Sequence, residues 1–279
     1  MSRRVVSAAL LLLAALLAGY VLLSFINRQR MLSASLQCKQ NLKGIGASLE
    51  WYSASNTGRF PLATVPNAHL SPEKRLSWLV ETWHLRNQAH LLLDKTTGWN
   101  DAENLHPKAE FMDIGEQPIG IDTQLRCPAD ANPGLLGDVG ITNYVGIAGV
   151  GGDYAATLPI SDPWAGLFGY ERKCVVSDIT KGLSNTIAVA ETLMDNGAWT
   201  AGGRPTVRGL DQTGSPYLGE HGQFSSGHYS RSYFTSTKHS YTTNILFADG
   251  SVRSFTDDID PATFEAMATI HGPDKRGDN

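Results

Sequence analysis

The sequence predicts an α+β protein in which a long N-terminal transmembrane helix continues into an antiparallel β-sheet body with long loops. Residues 5–26 form an apolar run without a charged side chain. From residue 121 onward, β-prone runs alternate with turn signals at a spacing of about 8–12 residues, which is typical of antiparallel sheets. Only 18% of the residues are charged and 28 are glycine, a composition that favours a loop-rich β fold.

The charge is unevenly distributed along the 279 residues. The formal net charge is −4, but residues 1–26 contain Arg3, Arg4 and no acidic residue, so the remainder carries −6. This balance excludes a nucleic-acid binder that relies on bulk electrostatic attraction. The length is sufficient for one large domain or two small ones with a buried core.

The apolar run extends from Val5 to Ile26 and would span about 33 Å as a helix, enough for a bilayer core. The alternative is a cleaved signal peptide. However, the run exceeds the usual apolar region of about 7–15 residues, and no A-x-A site follows before Arg28. We therefore predict a retained single-pass anchor that contacts the lipid bilayer through residues 5–26, with the N-terminus inside and the body exported.

Helical character is predicted to continue beyond the membrane, as one helix from about Val5 to Ser55. No proline occurs before Pro61. Apolar side chains at helical spacing form one stripe: Cys38, Leu42, Ile45, Leu49 and Tyr52. The predicted organisation is an N-terminal helix over 1–56, with an exported amphipathic half at about 30–55, a globular ectodomain over 57–270, and a flexible tail over 271–279.

Local signals within the body predict further elements. Ser71-Pro72 is a favourable helix start before the apolar residues of segment 76–83. The runs at 174–176 and 186–190 indicate strands, and 263–270 a short helix. The segment 196–236, rich in Gly, Ser, Thr, Tyr and Pro, is predicted to form long loops or an insertion.

The clearest local pattern lies in residues 244–255, where two β-prone runs flank Asp249-Gly250. This dipeptide is typical of a two-residue type I′ turn, in which both central residues have positive φ. The sequence therefore predicts a β-hairpin with Asp249 and Gly250 at its tip. His239 would then lie at the far end of its strand, too distant for direct contact with Asp249, and is interpreted as a structural side chain in a loop.

No set of residues has the spacing of an active site or metal centre. His221, His228 and His239, near Glu220, lack the close pairs that zinc sites usually contain. The acidic run at 257–260 lacks the regular spacing of a calcium loop and is better interpreted as a helix N-terminus near Pro261. No nucleophile elbow or phosphate-binding loop occurs. We therefore predict no catalytic residues, no metal and no cofactor.

Several segments, taken in order, resemble the bacterial pilin-like "domain of unknown function 1559" family. His239, nine residues and Asp249-Gly250 reproduce its H-x9-D-G signature. Further similar blocks are Gln37–Lys43, Gly58–Pro61, Ser77-Trp78, Trp99–Asp101 with Asn104, Cys127–Asp130, Asn143–Gly146 and Ser177–Thr186 with Glu191. The resemblance covers roughly residues 37–272 and implies a pilin-like body in the bacterial cytoplasmic membrane, periplasmic or surface-exposed.

Two departures from the family pattern bear on assembly. The chain lacks the prepilin cleavage motif, and no acidic residue precedes Glu50. In the family, an early Glu is thought to pair with the terminus of a neighbouring subunit, so fibre formation is in doubt here. Lys181 also occupies a position where the family usually has an acidic residue.

The three cysteines allow alternative disulfides, because an exported body is compatible with oxidation. From the residues alone, Cys127–Cys174 is possible, with Cys38 packed on the helix stripe, and so is a protein in which all three thiols are free. Cys38 and Cys127 both fall inside family motifs and Cys174 does not, so the resemblance favours a Cys38–Cys127 bridge.

The predicted function is a non-catalytic structural, secretion or surface-attachment role, with other envelope or pilin-like subunits as possible partners. The alternative is a surface solute- or glycan-binding module that uses aromatic side chains of the long loops: Tyr217, Phe224, Tyr229, Tyr233 and Phe234. A third class, an envelope hydrolase, would need an acid/base pair in a pocket, which the sequence does not indicate.

Overall fold

A computed structural model describes residues 3–112, 115–132, 134–136, 139–214, 216–231 and 239–271. Its first element, α1 (Arg3–Ser55), is one helix of 53 residues. It ends where the amide of Gly58 donates to the carbonyl of Ser53 at 2.9 Å, with Thr57 and Gly58 at φ of 56° and 79°. The predicted continuous helix and its end at Ser55 are therefore confirmed.

The two halves of α1 lie in different surroundings. Large apolar side chains between Leu10 and Leu23 are exposed. Among the described residues, α1 is the one helix long and apolar enough to cross a membrane, with a mean hydropathy of 2.3 over an 18-residue stretch. Beyond Ala34 the helix packs on the body. The predicted stripe is buried at Cys38, Leu42, Ile45 and Leu49, and Tyr52 is half-buried.

The other helices are short: α2 (Trp78–Asn87), α3 (Ala102–Leu105) and α4 (Pro261–Ala268). Helix α2 begins later than the predicted start at Ser71-Pro72. Ser77 instead donates from its backbone amide to the carbonyl of Thr200 and from its hydroxyl to that of Trp199, at 2.9 and 2.6 Å. These bonds hold the chain extended up to Trp78.

Eleven strands occur in the described residues: β1 (His90–Leu92), β2 (Lys108–Phe111), β3 (Gly115–Pro118), β4 (Leu135–Leu136), β5 (Val139–Gly140), β6 (Tyr144–Val150), β7 (Ile187–Glu191), β8 (Val207–Leu210), β9 (Tyr229–Arg231), β10 (His239–Phe247) and β11 (Val252–Thr256). The main sheet has the order β11-β10-β7-β6-β8, with β9 paired to β10. Its pairs are antiparallel except β6–β8. The predicted α+β class is confirmed.

Strands β6, β7 and β8 of the main sheet are buried on both faces. On one face, Tyr144, Ala148 and Leu246 belong to the core that contains α1 and α2. On the other face, Val145 and Ile245 pack in a second core with α4 and the segment 217–224. Successive residues point to opposite faces of a strand, so the uninterrupted apolar run of β6 contributes to both cores.

The predicted hairpin is formed by β10 and β11, but its tip differs from the prediction. Gly250 has a φ of 79°, whereas Asp249 has no positive φ. The amide of Gly250 donates to the carbonyl of Phe247, and that of Phe247 to the carbonyl of Ser251. The tip is therefore a three-residue loop closed by one left-handed glycine. Asp249 stabilises it by accepting from the amide and hydroxyl of Ser251 at 3.0 and 2.6 Å.

Two other local predictions need correction. The run 174–176 contributes only an isolated bridge between Arg59 and Val175, because the chain turns at Val176–Asp178. The segment 196–236 is not loop throughout, since it contains the buried strand β8. The predicted strand at 186–190 is confirmed as β7, and the predicted helix at 263–270 lies two residues earlier, as α4.

Candidate functional site

A buried cluster of metal-ligating and hydrogen-bonding side chains lies between α1 and the main sheet. Its centre is formed by Cys38, Cys127 and His228. Each residue contributes one potential metal-ligand atom, and these three atoms all lie within 4.8 Å of one another. Glu191 adjoins them, with 3.5 Å between its Oε2 and the Nε2 of His228. All four residues are at most 4% exposed. We call these four residues the polar cluster.

Helix α1 carries Cys38 into the cluster, and the hydrogen bonds of Asn41, one helical turn later, hold this part of α1 in place. Asn41 donates to the carbonyl of Arg126 at 2.9 Å and to the hydroxyl of Tyr144 at 3.1 Å. These contacts hold the register of α1 against the loop before Cys127 and against β6.

The loop that carries Cys127 is organised by Asn143, which is completely buried. The Asn143 side chain accepts from the amide of Cys127 at 2.8 Å and donates to Asp130 Oδ2 at 2.8 Å and to the carbonyl of Thr192 at 3.2 Å. One side chain therefore joins the cysteine loop to the start of β6 and the end of β7.

Glu191, the last residue of β7, is held by Asn244 of β10. The amide of Asn244 donates to Oε1 at 2.6 Å and its side-chain nitrogen to Oε2 at 3.2 Å. His228 precedes β9, and its carbonyl accepts from the amide of Thr242 at 2.9 Å. Its Nε2 lies 3.5 Å from the Sγ of Cys127, whereas its Nδ1 has no hydrogen-bond partner among the described residues.

The close contacts change the proton affinities of the cluster. The hydrogen bond from Cys38 lowers the pKa of Cys127 to about 6, and the His228 ring acts in the same direction. The same thiol pair, together with burial, raises the pKa of Cys38 well above its ordinary value. Burial would lower the pKa of His228, but hydrogen bonds to Cys127 and Glu191 outweigh it and raise the pKa to about 9. The contact between the two thiols therefore shifts their pKa values in opposite directions, down for Cys127 and up for Cys38.

The structure brings Cys38 and Cys127 together, as the family resemblance implied, but the thiols are free and no disulfide is present among the described residues. Cys174 is also free and buried; it lies outside the cluster, where its carbonyl accepts from the amide of Phe60. The Cys38–Cys127 bridge stays a prediction.

Sequence reasoning did not find His228 and Glu191 as neighbours of the cysteines. His228 was grouped with His221, which is exposed, as is Glu220. His239 begins β10, while Asp249 lies at the tip beyond its other end. The His239 backbone therefore lies in a strand, not in the predicted loop, and its side chain lies outside the described residues.

The remaining candidate residues have structural surroundings. Asp260 caps α4 by accepting from the amide of Thr263 at 2.8 Å, which supports the predicted helix N-terminus near Pro261. Tyr217 and Phe224 are buried in the second core and do not form a binding face. The Tyr229 side chain, Tyr233 and Phe234 lie outside the described residues.

The polar cluster joins segments that lie far apart in the sequence: the Cys38 block of α1, the loop of Cys127, the start of β6, the end of β7 and β10. A family with the description "Protein of unknown function (DUF1559)" matches residues 34–262, which include all of these segments. The chain belongs to the DUF1559 family. No curated protein and no solved structure matches it. Membership therefore assigns the body to a family without assigning an activity.

Proposed function

We propose that this DUF1559 protein is a membrane-anchored, pilin-like envelope protein with a non-catalytic structural role in surface attachment or secretion. The supporting observation is that one uninterrupted helix carries two different apolar surfaces. Its first half exposes apolar side chains from Leu10 to Leu23, and its second half buries a stripe under the sheet. A helix with this division connects a bilayer to a folded body without a flexible linker.

The dimensions agree with this role. At 1.5 Å per residue, the 53 residues of α1 extend about 80 Å, of which about 33 Å would lie in the bilayer. About 18 Å of helix separates Ile26 from Cys38, so the polar cluster would lie close to the membrane-facing end of the body. In this proposal the body lies on the exported side, and Arg3 and Arg4 lie on the cytoplasmic side of the membrane.

The glycan-binding alternative receives no support from the described loop aromatics. Stacking on a sugar requires exposed rings, whereas Tyr217 is 3% exposed and Phe224 is fully buried. Their contacts with Phe264 of α4, at ring-centroid distances of 5.7 and 6.3 Å, belong to the second core.

Membrane insertion of the full-length protein tests the proposal. In bacterial cells, we expect the wild-type chain in the membrane fraction after alkaline carbonate extraction, with the body accessible to protease in spheroplasts. Leu16→Arg places a charge in the apolar half and should reduce the carbonate-resistant fraction, because a central Arg costs about 2.5–3.5 kcal/mol of insertion free energy.

The matched control is Leu36→Arg, since Leu36 is 66% exposed on the same helix beyond the apolar run. This variant should remain in the membrane like the wild type. Recovery of the wild-type body as a soluble, N-terminally shortened protein would contradict the retained anchor.

A further inference from the structure

We propose that the polar cluster is a zinc site, in which Cys38, Cys127 and His228 bind the ion through Sγ, Sγ and Nε2. Glu191 adjoins His228 as an outer contact of the site. The ion would tie α1 to two other parts of the body, the loop of Cys127 and the segment of His228. It is independent of the proposed anchoring function, because the ligands all lie within the folded body.

The distance between Cys127 and His228 matches that between two ligands of one tetrahedral ion. Zn–S and Zn–N bonds of about 2.3 and 2.0–2.1 Å place a sulfur and a nitrogen ligand about 3.5 Å apart. The Sγ of Cys127 lies 3.5 Å from the Nε2 of His228. With Cys38, these residues form a group of three ligand atoms that all lie within 4.8 Å of one another.

The donor set selects the class of metal. Two thiols and an imidazole suit zinc, which is bound by two cysteines and one histidine in some sites, with the fourth position left to another ligand such as water. Calcium and magnesium prefer sites made of oxygen atoms. Zinc undergoes no redox change, so binding needs no oxidant; each thiol that becomes a ligand, and His228 at Nε2, releases its proton to solvent.

Hydrogen bonds already orient Cys127 and Glu191. Asn143 holds the amide of Cys127, and Asn244 holds both oxygens of Glu191. Such outer contacts orient metal ligands and typically contribute about 10–100-fold to metal affinity. A disulfide between Cys38 and Cys127 would consume both sulfurs and is therefore the competing state of the same site, with an S–S bond of about 2.05 Å.

The metal content of the full-length protein tests the proposal. Protein purified in detergent without chelator or added thiol should contain about one zinc per chain by elemental mass spectrometry. After chelation and cobalt substitution, it should show the near-ultraviolet absorption of a cobalt–thiolate bond. Cys127→Ser and His228→Ala should each lower the zinc affinity at least tenfold. Glu191→Gln should lower it by about 10–100-fold while retaining the cobalt–thiolate absorption.

Cys174→Ser is the matched control, because this cysteine is equally buried but outside the cluster, and it should retain one zinc. Wild-type measurements keep the test valid if a variant does not fold. The proposal is overturned if peptide mapping under non-reducing conditions finds a Cys38–Cys127 disulfide, or if reduced, folded wild-type protein does not retain zinc added alone.

Discussion

Gly46 of α1 lies directly against Leu246 of β10. A Cβ atom added at Gly46 would be 2.8 Å from Leu246 Cδ1 and 3.4 Å from the Cα of Gly250. Leu246 is completely buried, so its methyl group has little room to move. The glycine that weakens the helix on propensity grounds therefore allows α1 to approach the hairpin.

Gly46→Ala should therefore destabilise the body despite the better helix propensity of alanine. We expect overpacking to outweigh a propensity gain of about 1 kcal/mol, leaving a net loss of about 1 kcal/mol in the free energy of unfolding. Gly44→Ala is the control, because its Cβ would meet only Gln124 Oε1 at 3.9 Å. Urea unfolding should show opposite changes, and a stabilised Gly46→Ala protein would contradict the close packing.

Asn143→Ala should be among the more damaging polar substitutions in the body. It removes three hydrogen bonds and leaves the amide of Cys127 buried without its partner. The expected loss in the free energy of unfolding is about 3 kcal/mol. Asn185→Ala provides the comparison, because Asn185 is exposed and donates once, to the carbonyl of Lys181. Its cost should stay below about 1 kcal/mol, and similar urea midpoints for both variants would contradict the central role of Asn143.

Lys181 should make stability increase with pH. Burial lowers the pKa of this side chain from 10.5 to about 8, and its amino group donates to the carbonyl of Ala266 in α4. Between about pH 8 and 10.5 the unfolded state retains the Lys181 proton that the folded state has lost, so the free energy of unfolding rises with pH. After allowance for partial solvent exposure, the expected rise is about 1–2 kcal/mol.

Comparison with Lys181→Met isolates this contribution from other titrating groups. Urea unfolding at about pH 7.5 and 10 should show the wild type gaining stability relative to the variant. Lys43→Met, which replaces an exposed lysine of α1, should show no such difference. If the free energy of unfolding changed equally with pH in the wild type and in Lys181→Met, the lowered pKa of Lys181 would be contradicted.

Gly250→Ala tests the observed hairpin tip. Its φ of 79° is costly for a residue with a Cβ, while no neighbouring atom lies within 4 Å of the added Cβ. The expected loss of about 1–2 kcal/mol is therefore conformational alone. Gly120 also has open space at its Cβ position but no positive φ. Gly120→Ala should change the urea midpoint little, and an equal effect of both substitutions would contradict the left-handed conformation at Gly250.

Local patterns in the sequence predicted the parts of the fold that local physics determines. The stripe from Cys38 to Leu49 and the absence of proline predicted α1, and the β runs around Asp249-Gly250 predicted the β10–β11 hairpin. Strand β8 was missed because a four-residue buried strand containing Arg208 and Gly209 has no alternating pattern.

The candidate site could be predicted only in part. Cys38 and Cys127 were paired through the family resemblance, but His228 and Glu191 join them only through the tertiary fold. Their signal in the sequence is weak, because His228 lies in a Gly- and Ser-rich segment and Glu191 reads simply as the end of a strand. Side chains that meet from separate elements have no characteristic spacing in the sequence.

The contact of α1 with β10 also determines the order in which the body can mature. The buried stripe of α1 is synthesised early, whereas its partner Leu246 lies near the end of the chain. During synthesis, the apolar side chains on α1 therefore remain without their final cover until almost the whole body has been made. Contacts between such distant segments slow folding and leave aggregation-prone surface exposed. The interval between synthesis of α1 and synthesis of the last hairpin is therefore the stage at which this chain is most exposed to aggregation.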